Sequence, residues 1–312
     1  MMEATQIKNV IVIGAGGSLN PLIISSLQSA GFRVSVLVRA ASSVTPPAGA
    51  IVHRTDFSHD SLLEAFRGQD AVVNTITMPD LADQLRIIDA AIEAGVARYL
   101  PGEFGIDTSK AATVEIVPFL KVKPDVVKYL RSKEGEISWT ALITGPFFDW
   151  GLRNGFFSFH LPSRSANLHQ PGYHSRRLSW SILSTVADAV ARLLLKSDSD
   201  VVNRYVHVRS FTASQDEILK SLRRATEAVD EKRGSEPQSW LVANVSLEDK
   251  VVEAQESLLA GDTSKLGYML SKAIYTAGGD FDQEGLVMND VLGISSEELD
   301  SAVMRVVEEQ SI

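Results

Sequence analysis

The run Val10-Ile-Val-Ile-Gly14-Ala-Gly16-Gly17-Ser18-Leu19-Asn20-Pro21 has the residue types of an anion cradle. Strand-forming apolar residues feed a glycine-rich turn, and Leu22, Ile23, Ile24 and Leu27 follow at amphipathic spacing. A buried strand that delivers its end to a helix N-terminus binds phosphate through main-chain N–H groups and the helix dipole. Gly14-x-x-Gly17-x-x-Asn20 nearly completes a dinucleotide fingerprint. Its third glycine, which lets helix and strand approach closely, is asparagine here. Asn20 reads as the cap of a helix starting at Pro21, and its side chain is expected to push that helix outward and weaken pyrophosphate binding.

Two further positions support a nucleotide. Arg39 ends the segment Ser35-Val-Leu-Val-Arg39, where an acidic residue would bond the ribose 2′-hydroxyl of NAD. An arginine suits the 2′-phosphate of NADP through its fixed donor fork; the alternative is a solvated surface arginine. Asp56-Phe57 follows the third apolar segment, where it would flank adenine, or Asp56 simply caps the next helix. Asn74-Thr75-Ile76 ends the fourth, where the ribose and nicotinamide would pass.

Proton chemistry would fall to a lysine. Tyr129-Leu-Arg-Ser-Lys133 spells Tyr-x-x-x-Lys, but Lys133 lies only six residues before Trp139 on the next strand, at the far end of its helix. Lys123 is ten residues earlier, roughly 15 Å closer to the cofactor edge at ~1.5 Å per residue. Pro124 biases Lys123 away from helical geometry, so the helix is expected to start at Pro124 with Lys123 just outside it. Partial desolvation would lower an ammonium's pKa toward neutrality, as acid–base work requires. Lys121 and Lys128 compete in type, and a solvated helix lysine is the plain alternative.

The aromatic residues Phe147, Phe148, Trp150, Phe156, Phe157 and Phe159 crowd one stretch. They read either as walls for a flat apolar ligand or as core at a domain junction. His169 and His174 have no cysteine or carboxylate nearby at metal spacing, so no metal site is expected. His174 could bond a substrate oxygen, and Arg176-Arg177 reads as a solvated loop pair or, alternatively, as a grip for an acidic ligand.

Behind these residues stands a chain of 312, with 45% hydrophobic and 22% charged residues and a mean hydropathy of +0.04. That is ordinary globular composition. The absence of cysteine rules out disulfides and thiolate chemistry. A formal charge of −9 with no dense basic cluster argues against nucleic acid. Residues 1–9 carry no apolar signal segment and no run approaches ~18 apolar residues, so no membrane span is expected and a cytoplasmic protein is the default.

The elements that must position the site alternate over the first 145 residues. Strands are expected at 9–13, 33–38, 50–54, 71–75, 98–100 and 139–144, and helices at 22–30, 61–67, 81–94 and 119–131. Such alternation predicts an α/β fold, a doubly wound parallel sheet that holds ligands beyond the carboxyl ends of its strands. Residues 162–177 read as loop. Helices are expected at 183–195, 216–229 and 247–258, a strand at 204–208 and a Gly/Asp turn at 276–284. The domain expectation is a nucleotide-binding domain over 1–150 and a smaller α/β substrate domain over 151–312, with some segments returning to the first sheet.

Gly14-Ala-Gly-Gly17 and Leu37-Val-Arg39, with Ile88-Asp-Ala-Ala-Ile-Glu-Ala-Gly95-Val-Ala-Arg-Tyr-Leu-Pro101-Gly-Glu103-Phe104-Gly105, resemble the isoflavone reductase-like (NmrA-type) atypical short-chain dehydrogenases. Thr144-Gly-Pro-Phe-Phe-Asp-Trp-Gly151 is similar to their fungal branch. The resemblance implies a Rossmann domain, NADP(H), and reduction of a small aromatic or conjugated substrate, with a place in secondary metabolism. It implies cofactor contacts at Gly14, Gly16, Gly17, Ser18, Leu19, Arg39, Asp56, Phe57, Thr75, Ile76, Pro101, Glu103, Phe104 and Lys123. It implies a single lysine as general acid/base; Lys123 matches that position, and Phe119 stands where a Tyr-x-x-x-Lys enzyme would carry its tyrosine. The aromatic segment implies substrate contacts at Phe147, Phe148 and Trp150. The alternatives are a dinucleotide-sensing regulator without turnover, or a non-redox isomerase or cyclase on the same fold. Monomer and homodimer are both open.

Overall fold

The structure is a computed structural model and describes residues 6–76, 80–196 and 199–310; the first residues of the N-terminal stretch read above lie outside that range. The first half alternates β1 (Asn9–Ile13), α1 (Asn20–Ser29), β2 (Arg33–Arg39), β3 (Ile51–Thr55), α2 (His59–Phe66), β4 (Ala71–Asn74), α3 (Leu81–Glu93) and β5 (Arg98–Leu100). Then come α4 (Ala111–Ile116), a 3₁₀ turn (Pro118–Lys121), α5 (Val122–Ser132) and β6 (Ser138–Ile143). The second half contains α6 (Phe148–Arg153), β7 (Phe159–His160), β8 (Ser165–Gln170), β9 (Leu178–Trp180), α7 (Leu183–Leu195), β10 (Arg204–His207) and β11 (Phe211–Ala213). It closes with α8 (Gln215–Arg233), β12 (Leu241–Ser246), α9 (Leu247–Leu259), α10 (Leu266–Ala277), α11 (Asn289–Leu292) and α12 (Leu299–Gln310).

Seven strands form one sheet in the order β10-β6-β5-β4-β1-β2-β3, and every pairing is parallel. Both faces are covered, so β1, β2 and β4 read as nearly unbroken apolar runs. One face packs Ile23, Ile24 and Leu27 of α1 with Val186 and Val190 of α7. The other packs Leu62 of α2, Ile87 and Ile88 of α3 and Val126 and Leu130 of α5. The chain leaves β1 toward β2 and β3, then crosses to β4. The crevice at the carboxyl ends of β1 and β4 is therefore the switch point where such sheets hold ligands. This is the doubly wound Rossmann arrangement.

A second apolar core gathers Phe148, Phe159, Trp180 and Phe211 with α8, α10 and α12. The expected loop over 162–177 contains β8, which pairs with β7 and β12. Its sequence Ser-Ala-Asn-Leu-His-Gln hides the strand, because only small or polar residues flank Leu168. The expected helix over 119–131 divides into the 3₁₀ turn and α5.

Candidate active site

A cavity of about 410 Å³ opens at the carboxyl ends of β1, β4, β5 and β6. Gly16, Gly17, Ser18 and Leu19 form one wall, Thr75 and Ile76 the floor after β4, and Glu103, Phe104 and Lys123 the next wall. Phe147, Trp150, Phe156, Phe157 and Leu270 close the far side. A second hollow of about 330 Å³ is lined by Arg39, Thr55, Asp56 and Phe57 and shares Ile76 with the first. Pro101 lies in a small recess beside Lys123. Gly14 supports the turn from below: its φ of +102° is a conformation that favours glycine.

The helix start differs from expectation. Helix α1 begins at Asn20, with Leu19 as N-cap and no side-chain cap. Asn20 is itself buried, with Nδ2 2.9 Å from the point where a Cβ on Gly14 would stand. Space left by one glycine therefore receives the side chain that replaces another.

Helix α5 begins at Val122, capped by Lys121, so Lys123 lies within its first turn rather than outside it. Pro124 is tolerated because the first-turn N–H groups have no partner within a helix. Lys123 Nζ donates to the main-chain oxygen of Glu103 at 2.5 Å. Burial pushes the ammonium below the ordinary lysine value, and the Glu103 charge opposes that shift. Glu103 is itself 1% exposed. Its Oε2 accepts from Thr108 at 2.7 Å, while Oε1 has no partner among the described residues. Burial pushes this carboxyl up, with Lys123 pulling it back.

Other expected residues are committed elsewhere. Phe148 turns into the second core, edge-on to Phe211 at 4.9 Å and Trp180 at 5.9 Å between ring centroids. His174 is not on the cavity wall, and its Nδ1 bonds Asp216 at 2.9 Å. Asp56 accepts from the Ser58 main chain at 2.9 Å and hydroxyl at 2.6 Å; the cap of α2 is Ser58. Thr75 Oγ1 donates to Ile13 O at 2.7 Å. Tyr129 donates to Asp89, and Lys133 pairs with Glu136, so neither reaches the cavity.

The wall also contains residues that were read as part of the aromatic cluster but not singled out, Phe156 and Phe157, and one from α10, Leu270. Leu270 carries no sequence signal, since only tertiary packing brings α10 there. Thr108, which holds Glu103, is equally silent in the sequence. Among the described residues no cluster of His, Asp and Glu could hold a metal, and no helix is long and apolar enough to cross a membrane.

Comparison with known proteins gives a consistent picture. The family model described as the NmrA-like family matches residues 6–251. Oxidoreductase aprR of Aspergillus flavus is 34% identical over 305 residues, covering 96% of this chain and 98% of that protein. Among solved structures, the binary complex of leucoanthocyanidin reductase with NADPH from Vitis vinifera has a TM-score of 0.75 at 16% identity, covering 96% of this chain and 99% of that one. A structure of AtPrR2 with NADP+ and (+)pinoresinol has a TM-score of 0.73 at 18% identity, covering 97% and 99%. At these identities the two structures establish the shared fold.

Proposed function

The chain belongs to the NmrA-like family, and from that premise we propose that it is an NADPH-dependent oxidoreductase acting on a small aromatic or conjugated substrate, with Lys123 as general acid/base. One observation carries the reading: the Gly16–Leu19 turn, Lys123 and the ring of Trp150 line a single cavity at the switch point of the sheet. The full-length likeness to an oxidoreductase supports it.

The residues fit the cofactor. The first turn of α1 opens onto the cavity and provides main-chain donors for a diphosphate. Arg39 stands at the end of β2, where a 2′-phosphate would lie. Asp56 and Asp83 also line this hollow, each bonded through one oxygen, Asp56 to Ser58 and Asp83 to Arg86 at 2.8 Å, so the preference for the 2′-phosphate rests on Arg39.

When bound, NADPH supplies a hydride. Lys123 holds the proton at Nζ and gives it to a substrate oxygen that gains charge. The Glu103 carbonyl orients that ammonium. Thr75 has given its hydroxyl proton to Ile13 O, so it is no competing donor, and Lys123 is the cationic donor on this wall. Trp150, Phe156, Phe157 and Leu270 exclude water and offer flat apolar contact to a ring.

The test is a binding titration with NADPH and NADH, followed by single turnover with aromatic ketones and enones. Preferential NADPH binding with turnover supports the reading, and absence of NADPH binding overturns it. Tight binding without turnover across the panel moves the assignment to a dinucleotide sensor.

A further inference from the structure

The departure at the third glycine position of the turn supplies a donor of its own. Asn20 is 9% exposed, yet its carboxamide makes no hydrogen bond with any described residue and lines the cavity beside Gly16, Ser18 and Leu19. The amide is not among the sealed unpartnered groups of the described residues, so its unbonded atoms reach the space of the cavity and are available to a ligand. The neighbouring hydroxyl does not serve it: Thr75 Oγ1 donates to Ile13 O and makes no hydrogen bond with Asn20. The next residue, Pro21, has no N–H, so the first turn of α1 lacks one of the donors that a helix N-terminus normally offers an anion.

We propose that Asn20 Nδ2 donates to a phosphate oxygen of the dinucleotide's diphosphate, replacing the donor that Pro21 removes. The inference rests on the NADPH reading above. Phosphate oxygens only accept, so the amide must present its nitrogen to them. Asn20 thus works as a cofactor ligand, where a glycine at the same position would contribute only close packing.

The experiment measures dissociation constants for NADPH and for adenosine 2′-monophosphate, which reaches the Arg39 side but has no diphosphate. Wild type, Asn20→Gly and Asn20→Asp are compared by fluorescence titration, with ligand-free melting temperatures recorded. Asn20→Gly is expected to weaken NADPH about tenfold, the value of one hydrogen bond to a charged group, and to leave adenosine 2′-monophosphate unchanged. Asn20→Asp keeps the shape but sets a carboxylate against phosphate, and is expected to weaken NADPH further. If both variants bind NADPH as wild type does, the proposal is overturned while the cofactor reading stands. If wild type binds no NADPH, the cofactor reading itself fails and the proposal with it. Should Asn20→Gly not fold, Asn20→Asp alone decides.

Discussion

The ammonium of Lys123 is anchored to the peptide oxygen of Glu103, at 2.5 Å, and not to that residue's carboxylate. A carbonyl dipole orients the lysine without neutralising it, while the Glu103 carboxyl acts on it from within the protein, where Thr108 holds it. Burial, which disfavours the charged lysine, outweighs the carboxylate, which favours it. Lys123→Met is therefore expected to lower kcat by about 10²–10⁴-fold, the range of a lost general acid. NADPH affinity should fall far less than kcat, because the turn and Arg39 are untouched. Stopped-flow turnover beside a binding titration checks this, and normal turnover in the variant would remove Lys123 from the mechanism.

Glu103→Gln isolates the charge from the carbonyl. The Glu103 carboxylate raises the lysine, so its loss should move the Lys123 limb of the pH–rate profile to lower pH. Stability carries an independent sign. Burial raises the Glu103 carboxyl in the fold, so the wild type loses stability as pH rises from the ordinary carboxylate value of 4.5 through the raised folded value. The difference between glutamine variant and wild type should therefore shift in favour of glutamine as pH rises. Denaturant titrations across that span measure it, and a constant difference would contradict the assignment.

Arg39→Ala is expected to weaken NADPH by about 10- to 100-fold, the worth of a charge-assisted pair, with NADH little changed. Arg54 stabilises the adjoining loop by donating to Ala40 O and Ser42 O, so the alanine variant should keep its backbone there. Equal losses for the two dinucleotides would show that Arg39 does not meet a 2′-phosphate.

How much of this was legible in the sequence depended on the range of the interaction. The parallel sheet followed from short-range alternation, since strands buried on both faces must be apolar runs between amphipathic helices. The far end of α5 was legible as well: Lys133 could be set aside by counting residues to Trp139, and it pairs with Glu136. Residues whose role depends on distant packing were not legible. Phe148 and Trp150 are two apart in an aromatic run, yet one enters the core and the other the cavity. His174 was read as a ligand contact, but its ring is taken by Asp216, 42 residues on. The room for Asn20 depends on Gly14 across the turn, which local propensity does not encode.

Gly151 in α6 sets the shape of the aromatic wall. A Cβ there would lie 2.6 Å from Phe157 Cδ2, and that ring is held edge-on between Phe156 at 5.0 Å and Trp180 at 5.4 Å. Gly151→Ala must displace Phe157, at about 1–3 kcal/mol for overpacking. Substrate KM should rise severalfold while NADPH affinity stays constant. An unchanged KM for every substrate turned over would place Phe157 outside the substrate site.

Acid sensitivity should come in part from a residue outside the cavity. His169 is 1% exposed; its Nε2 meets Ser158 Oγ at 2.8 Å, and Nδ1 has no partner among the described residues. Burial lowers this imidazole from 6.5 to about 4. The unfolded chain therefore binds a proton that the fold refuses, and stability falls as pH drops below 6.5 until the folded value is reached. Between pH 7 and pH 5 the loss from this one group is about 2 kcal/mol by linkage. His169→Gln removes the titrating ring and keeps a group able to bond Ser158. The variant is expected to start less stable at pH 7 and to lose about 2 kcal/mol less than wild type on acidification. Denaturant unfolding at both pH values decides, because parallel losses would mean that His169 is not the group that titrates.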